Sequence, residues 1–284
     1  MAGILFVVAT PIGNLEDLTF RALRTLREVD LIAAEDTRRT AKLLAHYEIR
    51  KSMVSLREHN ELRETPRLVA RLERGESIAL VSDAGTPTIS DPGAHLVRTA
   101  HERGVRVVPI PGPSAVSAAL SASGFSGDEF VFFGFPPSSG AAREDWFHRI
   151  ATEGRVSVFF ESPHRIERTI RELLQLVKRP IMIGRELTKV NESLVVRQIN
   201  SESAKITEIG EFVVVVDCGA ESSGHIAETS SVTDMFYRLT KLASINEASA
   251  MHIVSREFDL PQTRVKNLVK KARIEAKLKQ SRLP

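Results

Sequence analysis

The stretch IALVSDAGTPTISDPG, residues 78–93, joins an apolar run to a turn-rich polar loop. Its first four residues are all apolar, which is typical of a strand that is buried on both faces of a sheet. The loop ends in Asp91, Pro92 and Gly93, and we expect Asp91 to cap a helix with Pro92 at its first position. A polar loop between a strand and a helix lies at the carboxyl edge of an open α/β sheet, where such folds bind ligands.

The first part of the chain alternates strands and helices around this stretch. Amphipathic patterns predict helices between the apolar runs, and one of these helices is expected to begin at Pro66 behind a Thr65 cap. Such alternation predicts a parallel sheet with helices on both faces. The further strands that we expect here cover residues 5–9, 31–34, 53–56 and 105–110.

The second part of the chain has several strands that follow one another with few helices, which predicts a mixed sheet. Ser162 is expected to cap a helix that begins at Pro163. A final segment is helical in pattern and follows a stretch that is rich in Ser, Glu and Gly, as linkers are. We therefore expect two α/β domains, a linker and a small helical domain, over residues 1–112, 113–219, 220–231 and 232–284.

The composition is that of a soluble globular protein, with 42% apolar residues and a net charge of +3. No run approaches the roughly 18 apolar residues of a membrane span, so we expect no membrane partner and a cytoplasmic location. The single cysteine, Cys218, excludes an internal disulfide. Residues 261–284 hold eight Lys or Arg against one acid, which indicates a polyanionic partner.

Several common enzyme motifs are absent from the sequence. It contains no G-x-G, no Walker loop, no H-E-x-x-H and no G-x-S-x-G. Its His, Asp and Glu residues lack the spacing of a metal site, so we expect no metal. Polar clusters instead follow the predicted strands, and Ser114 is expected to cap a helix whose free N–H groups suit a carboxylate or a hydroxyl-bearing ligand.

Taken together, these clusters resemble the motifs of the tetrapyrrole methylases, which are class III S-adenosylmethionine methyltransferases. AGTP at residues 84–87 stands where porphyrinoid methylases usually have GGDP, and this resembles the branch of the family that acts on ribosomal RNA. The segments that carry the resemblance are VATPIGNLEDLTFRAL at 8–23, AAEDTRRT at 33–40, HNE at 59–61, ALVSDAGTPTISDPG at 79–93, PIPGPSA at 109–115, GFPP at 134–137, ESPHR at 161–165 and RELTK at 185–189.

The resemblance implies a two-domain tetrapyrrole-methylase-like α/β fold, with a doubly wound parallel sheet, a mixed sheet and a helical C-terminal appendage. It implies a homodimer that binds S-adenosylmethionine between the two domains and methylates the 2′-oxygen of a cytidine in small-subunit (16S) ribosomal RNA, on the assembled subunit. Residues near Glu186–Leu187 and Gly210–Glu211 would close the site from the second domain. The implied cofactor contacts are Pro11, Ile12, Gly13, Gly85, Thr86, Ile89, Ser114, Ala115 and Phe135.

A ribose hydroxyl is protonated at neutral pH, so a positioned base would contribute about 10²- to 10⁴-fold. The candidate bases are Glu35, Asp36, Glu186 and Lys189. Lys189 would need its pKa lowered by positive neighbours such as Arg185 or Arg38. The candidate substrate-binding residues are Arg38, Arg39, His59, Arg165 and Arg185, of which the arginines would hold phosphates.

Two other functions fit the same fold. A small-molecule methylase that acts on a porphyrinoid would have an open apolar trough and a neutral tail. A non-enzymatic RNA-binding protein would have damaged cofactor loops. The intact loops, the arginine-rich clusters and the basic tail favour an RNA methyltransferase over both alternatives.

Overall fold

The computed structural model of the chain describes residues 2–197, 206–217, 229–241, 245–258 and 260–270. Contacts between residues divide the chain into two compact units, Met1–Asp217 and Cys218–Pro284. The first unit contains two five-stranded sheets. The predicted division into four domains stays a prediction.

The first sheet is built from the first five strands and is parallel throughout. The strands are β1 Ile4–Val8, β2 Leu31–Ala34, β3 Met53–Ser55, β4 Ile78–Val81 and β5 Arg106–Ile110. Their order is β3-β2-β4-β1-β5. The helices that connect them are α1 Phe20–Glu28, α2 Thr37–His46, α3 Glu61–Glu73 and α4 Ala94–Glu102.

Helices cover both faces of this sheet. Leu26 of α1 and Leu44 of α2 share one apolar cluster with strand residues such as Val8. Leu72 of α3 and Leu96 of α4 belong to a second cluster, on the opposite face. Every residue of β2 and β4 is buried, which explains why these strands are apolar throughout rather than alternating.

The second sheet is mixed, as predicted. Its strands are β6 Phe130–Phe132, β7 Val156–Glu161, β8 Ile181–Arg185, β9 Ser193–Arg197 and β10 Phe212–Val216. Their order is β6-β7-β10-β8-β9, and only β6 and β7 are parallel neighbours in it. The accompanying helices are α5 Ala115–Ser123, α6 Ala141–Thr152 and α7 Ile166–Leu176.

The two faces of the second sheet are covered differently. The helices α6 and α7 pack around Trp146 and Phe159 on one face. On the other side α5 lies against β7, β9 and β10. The many Ala and Ser residues of α5 allow this close approach of helix and sheet.

Three predicted helix starts are wrong. The helix α3 begins at Glu61, and Pro66 lies inside it, where its missing hydrogen bond falls on the carbonyl of the exposed Leu62. The helix α4 begins after Gly93, which has φ +117°, and Glu61 Oε1 accepts hydrogen bonds from its first N–H groups. The helix α7 begins at Ile166 rather than Pro163, because a turn at Ser162 comes first.

The second unit is helical, as predicted. Its helices are α8 Thr229–Lys241, α9 Glu247–Glu257 and one over residues 262–270. They pack around a core that includes Phe236, Val254 and Val265. Of the predicted linker, residues 229–231 already belong to α8, and the rest, like Cys218 and residues 271–284, lies outside the described residues. Where the chain is described, no helix is long and apolar enough to cross a membrane.

Candidate active site

Three loops at the carboxyl edge of the first sheet are tied together by hydrogen bonds. The backbones of Thr10 and Gly85 bond to each other twice, at 2.9 and 3.0 Å. Thr86 Oγ1 donates to the carbonyl of Pro113 at 3.1 Å. Because β4, β1 and β5 are neighbours, the loops that follow these strands form one wall.

This wall and the second sheet enclose a cavity of about 360 Å³, within the usual size of small-molecule sites. Residues from the part of the chain that forms the second sheet, such as Phe160 and Leu187, close the opposite side of the cavity. Pro11 and Gly13 do not line the cavity, although Ile12 between them does. The predicted cofactor residues that line it are Ile12, Gly85, Thr86, Ile89, Ser114, Ala115 and Phe135.

The N-terminus of α5 points to one role for this wall. Ser114 occupies the cap position, as predicted, but its side chain makes no capping hydrogen bond. The first N–H groups of α5 are therefore available to a ligand at the cavity, where Ser114, Ala115 and Val116 all contribute to the lining. Such a terminus favours a carboxylate.

Three carboxylates, Glu35, Asp83 and Asp91, line the same wall. Burial raises the pKa of Asp91 to about 6, and the negative charges of Glu35 and Asp83 add to this rise against a hydrogen bond from Ser82. Burial also raises the pKa of Glu35, although its Oε2 accepts a hydrogen bond from the Asp83 N–H at 3.2 Å. Sequence reasoning missed the role of Asp91 in this wall, because Asp-Pro-Gly there had the pattern of a helix cap.

Asp36 lies beside this cluster but does not line the cavity. It caps α2, accepting the Arg38 N–H at 2.9 Å, and its other oxygen pairs with Arg38 at 2.7 Å and Arg57 at 3.6 Å. Hydrogen bonds from Arg38 hold the pKa of Asp36 well below its usual range. Such a carboxylate is a weak base. Arg39, which follows Arg38 in α2, does line the cavity, and its guanidinium lies 3.4 Å from the carboxylate of Asp83.

Lys189 pairs with two carboxylates, those of Glu186 at 2.8 Å and Glu211 at 3.1 Å. Burial alone would lower the pKa of Lys189, but its hydrogen bonds to both partners outweigh burial and raise it. The lowered pKa that Lys189 would need as a base is therefore not found. Arg185, one of the two arginines offered as its cause, donates to the Ile209 carbonyl at 2.7 Å. In turn, the hydrogen bond that Lys189 donates to Glu186 lowers the pKa of Glu186. Lys189 is thus a cation that holds Glu211 at the cavity wall.

A clasp, formed by Gly13, Asn14 and residues 186–189, joins the first loop to the second sheet. The Asn14 N–H donates to Thr188 Oγ1 at 3.0 Å. A Cβ on Gly13 would lie 2.4 Å from Lys189 Cγ and 2.8 Å from the Leu187 carbonyl oxygen, so only glycine allows this approach. Within the clasp, Glu186 and Thr188 have φ of 52° and 66°, which is strained for residues with a side chain.

The remaining predicted substrate residues do not line the cavity. Arg165 lies 2.8 Å from the buried Glu161 and donates to the Pro136 carbonyl, so it neutralises a buried carboxylate. His59 is exposed beside Glu61, the residue that caps α4. No group of three potential metal ligands occurs among the residues that the structure describes. The roles predicted for individual site residues stay predictions.

Comparison with known proteins defines the class first. The family model of the Tetrapyrrole (Corrin/Porphyrin) Methylases matches residues 5–201, and the chain belongs to this family. A relative from Haemophilus influenzae is 47% identical over 224 residues, which are 76% of this chain and 79% of that protein. A relative from Thermotoga maritima is 45% identical over 75% of this chain and 98% of its own length. Both are named "Ribosomal RNA small subunit methyltransferase I".

Solved structures show the same fold at low sequence identity. A diphthine synthase matches with a TM-score of 0.59 and 16% identity, over 76% of this chain and 90% of its own. A uroporphyrin-III C-methyl transferase from Thermus thermophilus, complexed with S-adenyl homocysteine, matches with a TM-score of 0.53 and 18% identity, over 76% and 98%. The predicted fold, the methyltransferase class and its S-adenosylmethionine cofactor are confirmed.

Proposed function

We propose that this chain transfers a methyl group from S-adenosylmethionine to the 2′-hydroxyl of a cytidine in small-subunit ribosomal RNA, on the assembled subunit. The observation that carries the proposal is the cavity between the two sheets, whose first-sheet wall combines an open helix N-terminus with three carboxylates. The names of the relatives support RNA as the substrate. They leave the porphyrinoid alternative with less support.

The residues of the cavity fit the cofactor. Bound S-adenosylmethionine would supply an activated methyl group on a positively charged sulfonium. The carboxylates of Glu35, Asp83 and Asp91 favour a cation in the cavity. The free N–H groups of α5 would bind its carboxylate, and Phe135 and Leu187 would exclude water from the opposite side.

Glu35 is the proton acceptor in this proposal. Of the four candidate bases, it alone lines the cavity, and burial raises its pKa toward neutrality. Its carboxylate would take the proton of the ribose hydroxyl as the oxygen gains the methyl group. Asp36 and Glu186 are weaker bases because hydrogen bonds lower their pKa, and Lys189 is protonated.

We also propose that the chain acts as a homodimer in the cytoplasm, where its RNA substrate would be found. The edge strand β9 supports the dimer, because Leu194, Val195 and Val196 are 41%, 46% and 50% exposed on it. The basic segment 261–284 supports contact with RNA, because phosphate neutralisation by Lys and Arg supplies much of nucleic-acid affinity.

The test is methyl transfer to small subunits that lack the modification, together with calorimetry of S-adenosylmethionine binding. Glu35→Gln should lower turnover by about 10²- to 10⁴-fold, the loss expected for a general base. The matched control is Glu102→Gln, at an exposed carboxylate at the end of α4, and it should behave as wild type.

Two results would contradict the proposal. Turnover of Glu35→Gln close to that of the control would exclude Glu35 as the base. Transfer to a porphyrinoid but not to the small subunit would assign the chain to the small-molecule alternative.

A further inference from the structure

The two helical faces of the first sheet differ in charge. The helices α1 and α2 on one face hold six Arg or Lys residues and one acid. The helices α3 and α4 on the other face hold four basic and four acidic residues. Both pairs of helices pack against the same sheet, so packing against the sheet does not explain the difference in charge.

The basic residues on the two faces also differ in their partners. On α3, Arg63 and Arg67 pair with Glu64 at 3.0 and 3.3 Å. Among the described residues, no carboxylate forms an ion pair with Arg21, Arg24 or Lys42 of the other face. These three cations are exposed and available to an external anion.

Phe20 lies on the same helix as two of these cations, Arg21 and Arg24. It is the first residue of α1 and is 92% exposed, whereas Ala22 and Leu26 of the same helix are fully buried against the sheet. Residues four apart in a helix are neighbours on its surface, so Phe20 lies beside Arg24. An exposed aromatic ring among unpaired cations is the combination that binds single-stranded nucleic acid, because bases stack on the ring and phosphates pair with the cations.

Both helices start at the edge of the sheet where the cavity lies. The helix α1 begins eight residues after Ile12, and α2 begins directly after Glu35 and Asp36. Arg39, in the first turn of α2, lines the cavity. The charge of this face therefore extends to the cavity mouth.

We infer that Phe20, Arg21, Arg24 and Lys42, here called the basic face, bind the single-stranded RNA that flanks the nucleotide in the cavity. Phe20 stacks on a base, and the three cations neutralise phosphates. This inference rests on the proposed function. A second copy of the chain is a poor occupant, because a symmetric contact would place like charges against each other.

The test measures the affinity of the full chain for unmodified small subunits at several salt concentrations. Arg21→Ala with Arg24→Ala should weaken binding at least tenfold and reduce the slope of log K against log salt by about 1.4, since each phosphate contact with a single strand contributes about 0.7. Phe20→Ala should weaken binding about five- to 150-fold without changing the slope, as loss of one stacked base does. Cofactor affinity should not change in any of these variants.

The matched control is Arg98→Ala on α4, an exposed arginine on the opposite face of the same sheet. It should leave both affinity and slope unchanged. Lys42→Ala, on a different helix, should reduce the slope by about 0.7 and serves if the double variant does not fold.

Three results would overturn the inference. The first is an unchanged slope in the arginine and lysine variants, and the second is an equal loss of affinity in Arg98→Ala. The third is a change of oligomeric state in place of RNA affinity, which would assign the basic face to a second copy. If wild-type protein itself neither binds nor methylates the subunit, the proposed function fails; if it does both and the variants match it, only the basic face is refuted.

Discussion

Gly13→Ala tests whether the clasp sets the shape of the cavity. The added Cβ would lie 2.4 Å from Lys189 Cγ, 2.7 Å from Thr188 Oγ1 and 2.8 Å from the Leu187 carbonyl oxygen. Ordinary contacts begin near 3.4 Å, so the Leu187 carbonyl oxygen must retreat by about 0.6 Å. The lysine chain can rotate away, but the carbonyl of Leu187 can move only with its backbone.

The cost of this change can be worked from these contacts. Overpacking of this kind costs about 1–3 kcal/mol. The retreat also stretches the 3.0 Å bond from the Asn14 N–H to Thr188 Oγ1, whose loss costs about 0.5–1.5 kcal/mol. If the clasp opens while both sheets stay folded, Leu187 and Glu211 withdraw from the cavity. The two costs together are about 1.5–4.5 kcal/mol. Each 1.4 kcal/mol then weakens ligand binding about tenfold, so we expect about a 10- to 10³-fold loss of S-adenosylmethionine affinity.

Calorimetry with S-adenosylmethionine and a thermal melt of the same sample measure this effect. Gly154→Ala is the matched control, because a Cβ there meets no heavy atom within 4 Å and its φ is not positive. If Gly13→Ala binds the cofactor as tightly as Gly154→Ala and melts at the same temperature, the close approach at Gly13 does not shape the cavity.

Two further predictions concern titratable groups. Lys189→Arg keeps a cation between Glu186 and Glu211 and should retain turnover within about tenfold, whereas Lys189→Met should lose about 10²-fold in turnover with an unchanged pH profile. If Lys189 were a base, kcat assays would find both variants equally inactive, because a guanidinium stays protonated. Asp91→Asn should raise the melting temperature at pH 7.5 by about 2–4 °C, and the gain should vanish near pH 4. Asp91 keeps its proton up to about pH 6 in the folded protein but releases it near pH 3.8 in the unfolded chain. The stability of the wild-type protein therefore decreases as the pH rises from 3.8 to about 6, and it stays lower at higher pH. An equal gain in melting temperature at both pH values would refute the conclusion that the buried charge of Asp91 lowers the stability.

The strand ends explain why much of the site could be predicted. Polar loops after β1, β4 and β5 are visible in the sequence, and parallel strands bring their carboxyl ends to one edge. The family resemblance implied Ile12, Gly85 and Ser114 in those loops as cofactor contacts, and the structure places all three on one cavity wall.

Capping and charge pairing were harder to predict, because the partners are distant in sequence. The helix α4 is capped by Glu61, about 30 residues before it, so the local Asp91-Pro92 pattern misled. Lys189 would need a positive neighbour to act as a base, but its neighbours in space are two carboxylates, and one of them, Glu211, lies 22 residues away.

The sequence by itself determined the class of fold and the loops that form the site, because apolar periodicity and turn residues act over short distances in the chain. The motifs in those loops carried the resemblance to the family. Only the tertiary structure decided the protonation of the candidate bases, since the pKa of Glu35, Asp91 and Lys189 depends on burial and on charges brought together from separate strands. It likewise decided that Gly13 belongs to a clasp, because the residues that require a glycine there are about 175 positions away.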